Sequence, residues 1–548
     1  MNEAELRELA ETARALLHLL LNDPAEERRI RARLDDALSL PPDQAGMPLL
    51  DALMDNTVLR AWMAERRKPW FRTPPGYLTV DLPEQVLVGS AFSIEVRVTG
   101  IRHPLSAEFD RSALRSDRVL TVTVSAPGLQ PLGDLRCELL VPASGDSSPV
   151  EFGFRRLTPG PQHLVVRAYV QSTFVAEIST CMWAKGGASA ETGRREVSLT
   201  TMTPVPGEVT MEVSAMPGNR HHVRLIAGGT VDLEASQHLV GEPRQAVENL
   251  VAELRRFAEG KSGFSTPAAK RNRLKNLGVD LWRQAVPEAI QQQFWDLGAD
   301  TVRSFRIVSD VDTLPWELLY PLDTGHDRGF LVDQFPVTRQ TGQQAPTPHL
   351  PLRSAAFVVS KRAPVNSEKE ILRIKELLGA GVPDRGRITS LSEIAATLKA
   401  PPGLLHFSCH HDFSEEAGAR LRLDEGPFRP TDLATAAALR SLAGAAPIVF
   451  FNACRSAGET LSLTQPMGWA RQFMEAGAGA FIGTLWPVAS EPALAFAEAF
   501  YDSLVPGRQQ LSTAMSAARD AVSGDDGDPT RLAYTVYGDP NARTHPDG

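Results

Sequence analysis

Cysteine and histidine are the side chains in this sequence whose placement could do covalent chemistry. Pro447-Ile448-Val449-Phe450-Phe451-Asn452-Ala453-Cys454-Arg455-Ser456-Ala457-Gly458 reads as a buried strand that ends on a cysteine and breaks into a loop of small residues. Leu404-Leu405-His406-Phe407-Ser408-Cys409-His410-His411-Asp412 has the same form, a short apolar strand ending on histidines. An α/β sheet presents its active groups at the carboxyl ends of parallel strands. Two such strands side by side bring Cys454 and a histidine to one edge, which is what a cysteine nucleophile with a nearby base requires. The base is then one of His406, His410 and His411. His406 lies inside the strand and reads as core, and Cys409 reads as a buried thiol.

Zinc chemistry fits these residues less well. A zincin pair needs two histidines one helical turn apart, with glutamate after the first. Phe407 follows His406 here, and four residues of strand span roughly 13 Å at ~3.3 Å each, too far for one ion. No metal and no cofactor is expected.

To hold both strand ends, residues 350–548 must form an α/β unit. A strand at 355–360 is followed by a helix carrying Glu368, Ile371, Leu372, Ile374, Leu377 and Leu378. Beyond Cys454 the periodicity predicts a helix at 467–476, the turn Gly477-Ala478-Gly479 and a strand at 480–486. Helices at about 492–504 and 511–522 follow, then a last strand or turn at 533–540. Residues 194–345 form an earlier α/β set, with strands at 196–200, 222–227 and 304–309, a helix at 243–258 and one or two more over 267–294. A Pro-rich linker at 341–351 separates the two sets.

Upstream the pattern changes. Residues 73–185 carry period-2 strands at 77–82, 92–98, 119–125, 150–156 and 163–170, bounded by Gly, Pro and Ser as in a β-sandwich. Lys185-Gly-Gly-Ala-Ser-Ala-Glu-Thr-Gly is a small-residue linker and the clearest boundary. Residues 1–72 carry apolar residues at helical spacing, broken at Asn22-Asp23-Pro24, and read as a bundle of three helices that caps the fold or docks a partner. The expected architecture is multidomain, in four parts over 548 residues.

Composition narrows the class. The net charge of -9 argues against direct nucleic-acid binding. Four scattered cysteines, Cys137, Cys181, Cys409 and Cys454, follow no disulfide or zinc spacing and suit a reducing cytoplasm. The acidic opening Met1-Asn2-Glu3-Ala4-Glu5 is a poor signal peptide, and no run approaches about 18 apolar residues, so no membrane contact is expected.

The C-terminal half resembles the CHAT family of caspase-like cysteine proteases. The resemblance rests on Leu314-Pro-Trp-Glu-Leu-Leu, Leu405-His-Phe-Ser-Cys-His410, Phe451-Asn-Ala-Cys454, Phe473-Met-Glu-Ala-Gly-Ala, Gly483-Thr-Leu-Trp-Pro-Val, Phe500-Tyr501 with Leu504, and Tyr537-Gly538-Asp539-Pro540, in family order. It implies a pseudo-caspase half at 194–345 packed on a catalytic half at 350–548, with a dyad of His410 as base and Cys454 as nucleophile. It further implies an oxyanion site from backbone N–H groups at Cys454 and His411, although His411 stands where the family has glycine. Ser490 stands where the family often has an acidic residue in a cleft loop. Asp412, Glu415 and Glu416 form either an acidic substrate pocket or a solvated loop, and Trp486 either an apolar subsite wall or core. The implied function is a regulated bacterial endopeptidase, switched on by a protein partner through residues 1–185 in a defence or signalling system and acting on a protein substrate. The competing reading is an inactive scaffold that binds partner proteins.

Overall fold

The computed structural model describes residues 24–39 and 76–545, apart from 84–85, 100–105, 110–118, 143–145, 183–204, 217–219, 228–229, 232–236, 241–243, 259–260, 262, 299–300, 310–313, 341–346, 360–362, 415–417, 456–464, 487 and 524–527. The chain divides into two compact units, 1–75 and 76–548. In the first, a helix spans Pro24–Ser39, with Ile30, Leu34 and Ala37 buried. It opens on the proline read as a break, because proline's fixed φ and missing N–H suit a helix's first turn. The other expected helices of 1–72 and the strand at 196–200 lie outside the described residues.

The second unit begins with nine strands: β1 (Gly76–Asp81), β2 (Ala91–Thr99), β3 (Ser106–Phe109), β4 (Val119–Ser125), β5 (Leu129–Pro131), β6 (Arg136–Leu140), β7 (Val150–Arg156), β8 (Gln162–Val170) and β9 (Thr173–Met182). They form sheets of order β3-β1-β2-β7-β5 and β6-β4-β8-β9. Alternate residues such as Ile94, Val96, Val98, Val122, Val124, Phe152, Leu164 and Val166 fill one shared core. β9 is nearly continuous in buried residues and carries no clean alternation, so its sequence does not announce a strand.

The remaining chain builds one large mixed sheet. Its strands are β10 (Glu208–Met216), β11 (Arg220–Ala227), β12 (Thr230–Val231), β13 (Gln237–Val240) and β14 (Ser304–Ser309), with the small pair β15 (Leu322–Asp323) and β16 (His326–Asp327) outside it. Then come β17 (Val337–Gln340), β18 (His349–Pro351, paired off the sheet), β19 (Ala355–Val359), β20 (Asp384–Ile388), β21 (Leu404–Ser414), β22 (Gly418–Leu423), β23 (Gly426–Phe428), β24 (Ile448–Arg455), β25 (Ala480–Thr484), β26 (Tyr534–Gly538) and β27 (Arg543–His545, the partner of β18). The central order is β12-β11-β10-β14-β17-β26-β25-β24-β21-β19-β20. The two α/β sets therefore share one sheet, and the last large strand, β26, joins them through the register pair of Arg339 with Tyr537.

Both faces of the second set are covered. Helices Ser367–Leu378, Ser490–Leu504 and Leu511–Ala521 supply Ile371, Ile374, Phe496, Phe500, Leu511 and Met515 to the core that takes in Leu404, Phe450 and Ile482. Helices Leu391–Lys399 and Gln465–Glu475 supply Ile394, Leu398, Trp469 and Phe473 to the core of the other face, with Leu405, Phe407, Val449 and Phe451. Strands buried on both faces explain the near-continuous apolar runs that frame Cys454 and His410. The turn at Gly477 needs glycine: φ is +100°, and a Cβ would lie 2.5 Å from the backbone nitrogen of Ala443.

The β-sandwich is docked on this sheet by polar contacts. Thr123 Oγ1 donates to Glu212 at 2.9 Å, Arg167 reaches Glu212 and Ser214 at 3.2 Å, and Thr210 Oγ1 donates to the Ser172 carbonyl at 2.6 Å. Tyr169, Phe174, Ile226 and Val308 form an apolar contact beside them. No described helix is long and apolar enough to cross a membrane.

Candidate active site

β19, β20, β21, β24 and β25 are parallel, in the spatial order β20-β19-β21-β24-β25. This is the doubly wound order 2-1-3-4-5, and the winding direction reverses between β19 and β21. A crevice opens at the carboxyl ends of the strands at such a switch point, where ligands of α/β sheets bind. Among the described residues β19 pairs with β21 as far as Ser408, and β25 with β24 as far as Phe450. The ends of β21 and β24 thus run past both neighbours and pair with each other.

That pairing sets the candidate residues. Leu404 is opposite Ile448, and the ladder continues in step until His410 is opposite Cys454 and His411 opposite Arg455. Adjacent strands lie about 4.8 Å apart, so the backbones at positions 410 and 454 are immediate neighbours. His406 falls opposite Phe450, two full pleats away. The side chains of His410, His411, Asp412 and Cys454 lie outside the described residues; their strand positions do not.

β21 does not end at His410. It continues to Ser414 and turns back as β22, with His411 paired to Leu421 and Asp412 to Arg420. This continuation bears on two residues. His411 stands in extended backbone, which any residue adopts, so no unusual angle is demanded where the family has glycine. Asp412 is a strand residue, not part of a loop; Glu415 and Glu416 lie outside the described residues. Trp486 is 2 % exposed, within the main core beside Val488, and Ser490 is the half-buried first residue of the Ser490–Leu504 helix.

Below the paired ends lies a buried polar cluster that the sequence reading did not assemble. His406 is fully buried, with Nδ1 3.1 Å from the Tyr501 hydroxyl and Nε2 3.1 Å from Glu370 Oε1. Ser408 Oγ lies 2.8 Å from both Glu370 Oε2 and Ser367 Oγ. Asn452 donates to Glu370 Oε1 and to the Ala493 carbonyl, and accepts from the Tyr534 hydroxyl at 2.8 Å. Burial, and next the Glu370 carboxylate, push the Tyr501 phenol well above its ordinary value, so Tyr501 keeps its proton as a donor. With Tyr501 as the donor to Nδ1, the other ring nitrogen of His406 donates to Glu370. The visible signal was polar residues at alternate positions of apolar strands, 406 and 408 in one and 452 in the other: a buried polar side chain needs a partner.

Cys409 belongs to the opposite face. It is fully buried, and its thiol donates to the Val358 carbonyl at 3.2 Å. Cys137 is a free thiol, raised above its ordinary value by burial. Among the described residues no three His, Cys, Asp or Glu side chains could hold a metal ion together.

The family described as CHAT domain matches this chain over residues 217–546. No curated protein matches. Among solved structures, gingipain R, an Arg-specific cysteine proteinase, aligns over 50% of this chain and 75% of its own at 12% identity, TM-score 0.35. The Saccharomyces cerevisiae separase–securin complex aligns over 62% of this chain at 10% identity, TM-score 0.35, and this chain spans only 30% of that one. The complex of Porphyromonas gingivalis RgpB pro- and mature domains aligns over 55% of this chain and 77% of its own at 12% identity, TM-score 0.32.

Proposed function

Because the chain belongs to the CHAT domain family, we propose that it is a cysteine endopeptidase working through a His410/Cys454 dyad. The observation that carries this reading is the register: a histidine and a cysteine directly opposite each other, on strand ends that overrun their neighbours, one strand along from a switch point. In this mechanism His410 takes the Cys454 proton, and the thiolate attacks a peptide carbonyl of a protein substrate. The tetrahedral oxyanion is held by backbone N–H groups at Cys454 and His411. His410 returns the proton to the leaving amine, and water hydrolyses the acyl-enzyme with His410 again as base. Asp412, Glu415 and Ser490 are the candidates for the substrate-facing rim.

Residues 1–216 lie outside the family match. We assign 1–185 to a regulatory role, docking the protein that switches the peptidase on in a bacterial defence or signalling system. Labelling by a peptidyl electrophile, with and without candidate partners, tests the core of the reading. Wild type is labelled, Cys454→Ala is not, and His410→Ala slows labelling by about 10²–10⁴-fold. Labelling that survives Cys454→Ala overturns the assignment. A wild-type protein never labelled, and cleaving nothing with any partner, supports an inactive scaffold instead.

A further inference from the structure

The polar cluster beneath the dyad has one charged centre. Glu370, 4% exposed, comes from the Ser367–Leu378 helix, and among the described residues no lysine or arginine bonds to it. Its two oxygens are taken by His406 and Ser408 of β21 and by Asn452 of β24. The same partners are tied outward: His406 to Tyr501, Ser408 to Ser367, and Asn452 to Tyr534 of β26 and the Ala493 carbonyl. Ser408 is the last residue of β21 paired to β19, and Asn452 lies past the last residue of β24 paired to β25. Where flanking strands stop holding the two ends, the carboxylate begins to. Positions 410 and 454 come two residues later, and the two-residue strand period makes them the next members of the row 406, 408 and of the row 450, 452.

We propose that Glu370 is a positioning residue, a buried carboxylate clamp that fixes β21 against β24 and so holds His410 and Cys454 in register. This rests on the dyad reading above. A buried carboxylate is costly unless its hydrogen bonds are made, and bonds to it are stronger than those between neutral groups. Apolar residues at 370, 408 and 452 would fill the same space without that cost. The clamp is expected to act on geometry at the strand ends as well as on stability.

The test is the pH profile of Cys454 alkylation by iodoacetamide, read at that residue by mass spectrometry. It needs no knowledge of the substrate. A thiol paired with a histidine forms thiolate well below the free value of about 8.5. Glu370→Gln keeps the shape but puts an amide where a carboxylate accepted three groups. Its profile is expected to move at least one unit towards the free thiol, an approximately tenfold lower rate at pH 6.5. Ser408→Ala and Tyr501→Phe each remove one tie and are expected to move it less; they also serve should Glu370→Gln fail to fold. Ile374→Val, buried on the same helix outside the cluster, lowers stability without touching the clamp and is expected to leave the profile in place. A folded Glu370→Gln protein with the wild-type profile overturns the clamp while His410→Ala still shifts it. If His410→Ala leaves the profile unchanged, the dyad reading falls, and the clamp with it.

Discussion

Glu317 in the Leu-Pro-Trp-Glu stretch is buried and answered by one guanidinium: Arg339 Nε donates to it at 3.0 Å and Nη2 completes the fork. Burial alone raises this carboxyl, but Arg339 outweighs it and holds the group below its ordinary value of 4.5. A carboxylate depressed by folding contributes stability that is fully present above its unfolded value and is lost as pH falls through its folded one. Glu317→Ala strands a buried arginine and is expected to cost about 3–5 kcal/mol at pH 7. Urea unfolding at pH 7, 5 and 3 checks this: the gap to wild type should hold at pH 7 and 5 and narrow at pH 3. A gap independent of pH would mean that the lost packing, not the ion pair, was decisive. At this scale the paired positions 410 and 454 were legible because strand-end placement shows in a one-dimensional pattern. Glu370, Tyr501 and Tyr534 were not, since each sits on a different element and only the fold brings them to His406 and Asn452.

Elements were legible where their period was clean and local. The 304–309 expectation coincides with β14, and the apolar spacing after Glu368 with the Ser367–Leu378 helix. The Leu391–Lys399 helix passed unread, though its start is marked by a reciprocal cap. Ser390 Oγ accepts the Glu393 N–H at 3.3 Å, and the Glu393 carboxylate accepts the Ser390 N–H at 3.1 Å. Nine residues give too short a window for the 3.6 period to stand out. β20 was missed for another reason: Asp384-Arg-Gly-Arg-Ile is an edge strand, charged and bent at Gly386, with one fully buried side chain. The cap makes a measurable claim. Ser390→Ala is expected to lower stability by about 1 kcal/mol in urea unfolding, and Ser390→Asp, which still caps, to restore most of it. Equal losses in the two variants would show that burial of the Ser390 side chain, not the cap, sets the effect.

At the scale of the molecule, the organisation depends on pairings no local pattern carries. β26 comes almost last in the chain yet lies centrally, between β17 and β25, and is what makes one sheet of two α/β sets. The small-residue linker after 185 reads as a domain boundary, and strands 76–182 fall in one compact unit with the sheet. What docks them is charge in a buried place. Glu212 of β10 accepts from Thr123 and Arg167 of the sandwich and from Arg224 of β11. Burial raises its carboxyl, and Arg224 and then Arg167 bring it below its ordinary value. Removing one member of such a cluster leaves unanswered charge, while replacing the charges together by apolar groups need not. Glu212→Ala is therefore expected to cost about 3–5 kcal/mol and to split unfolding into two transitions, the sandwich separating first. Glu212→Met combined with Arg224→Met leaves Arg167 its 2.8 Å pair with Glu177, and is expected to keep one transition and lose less. Calorimetry of both variants decides the matter. If the double variant is the less stable, the contact depends on the bonds that Glu212 accepts from Thr123 and Arg167, and the sandwich is held by specific polar complementarity, not by exclusion of water.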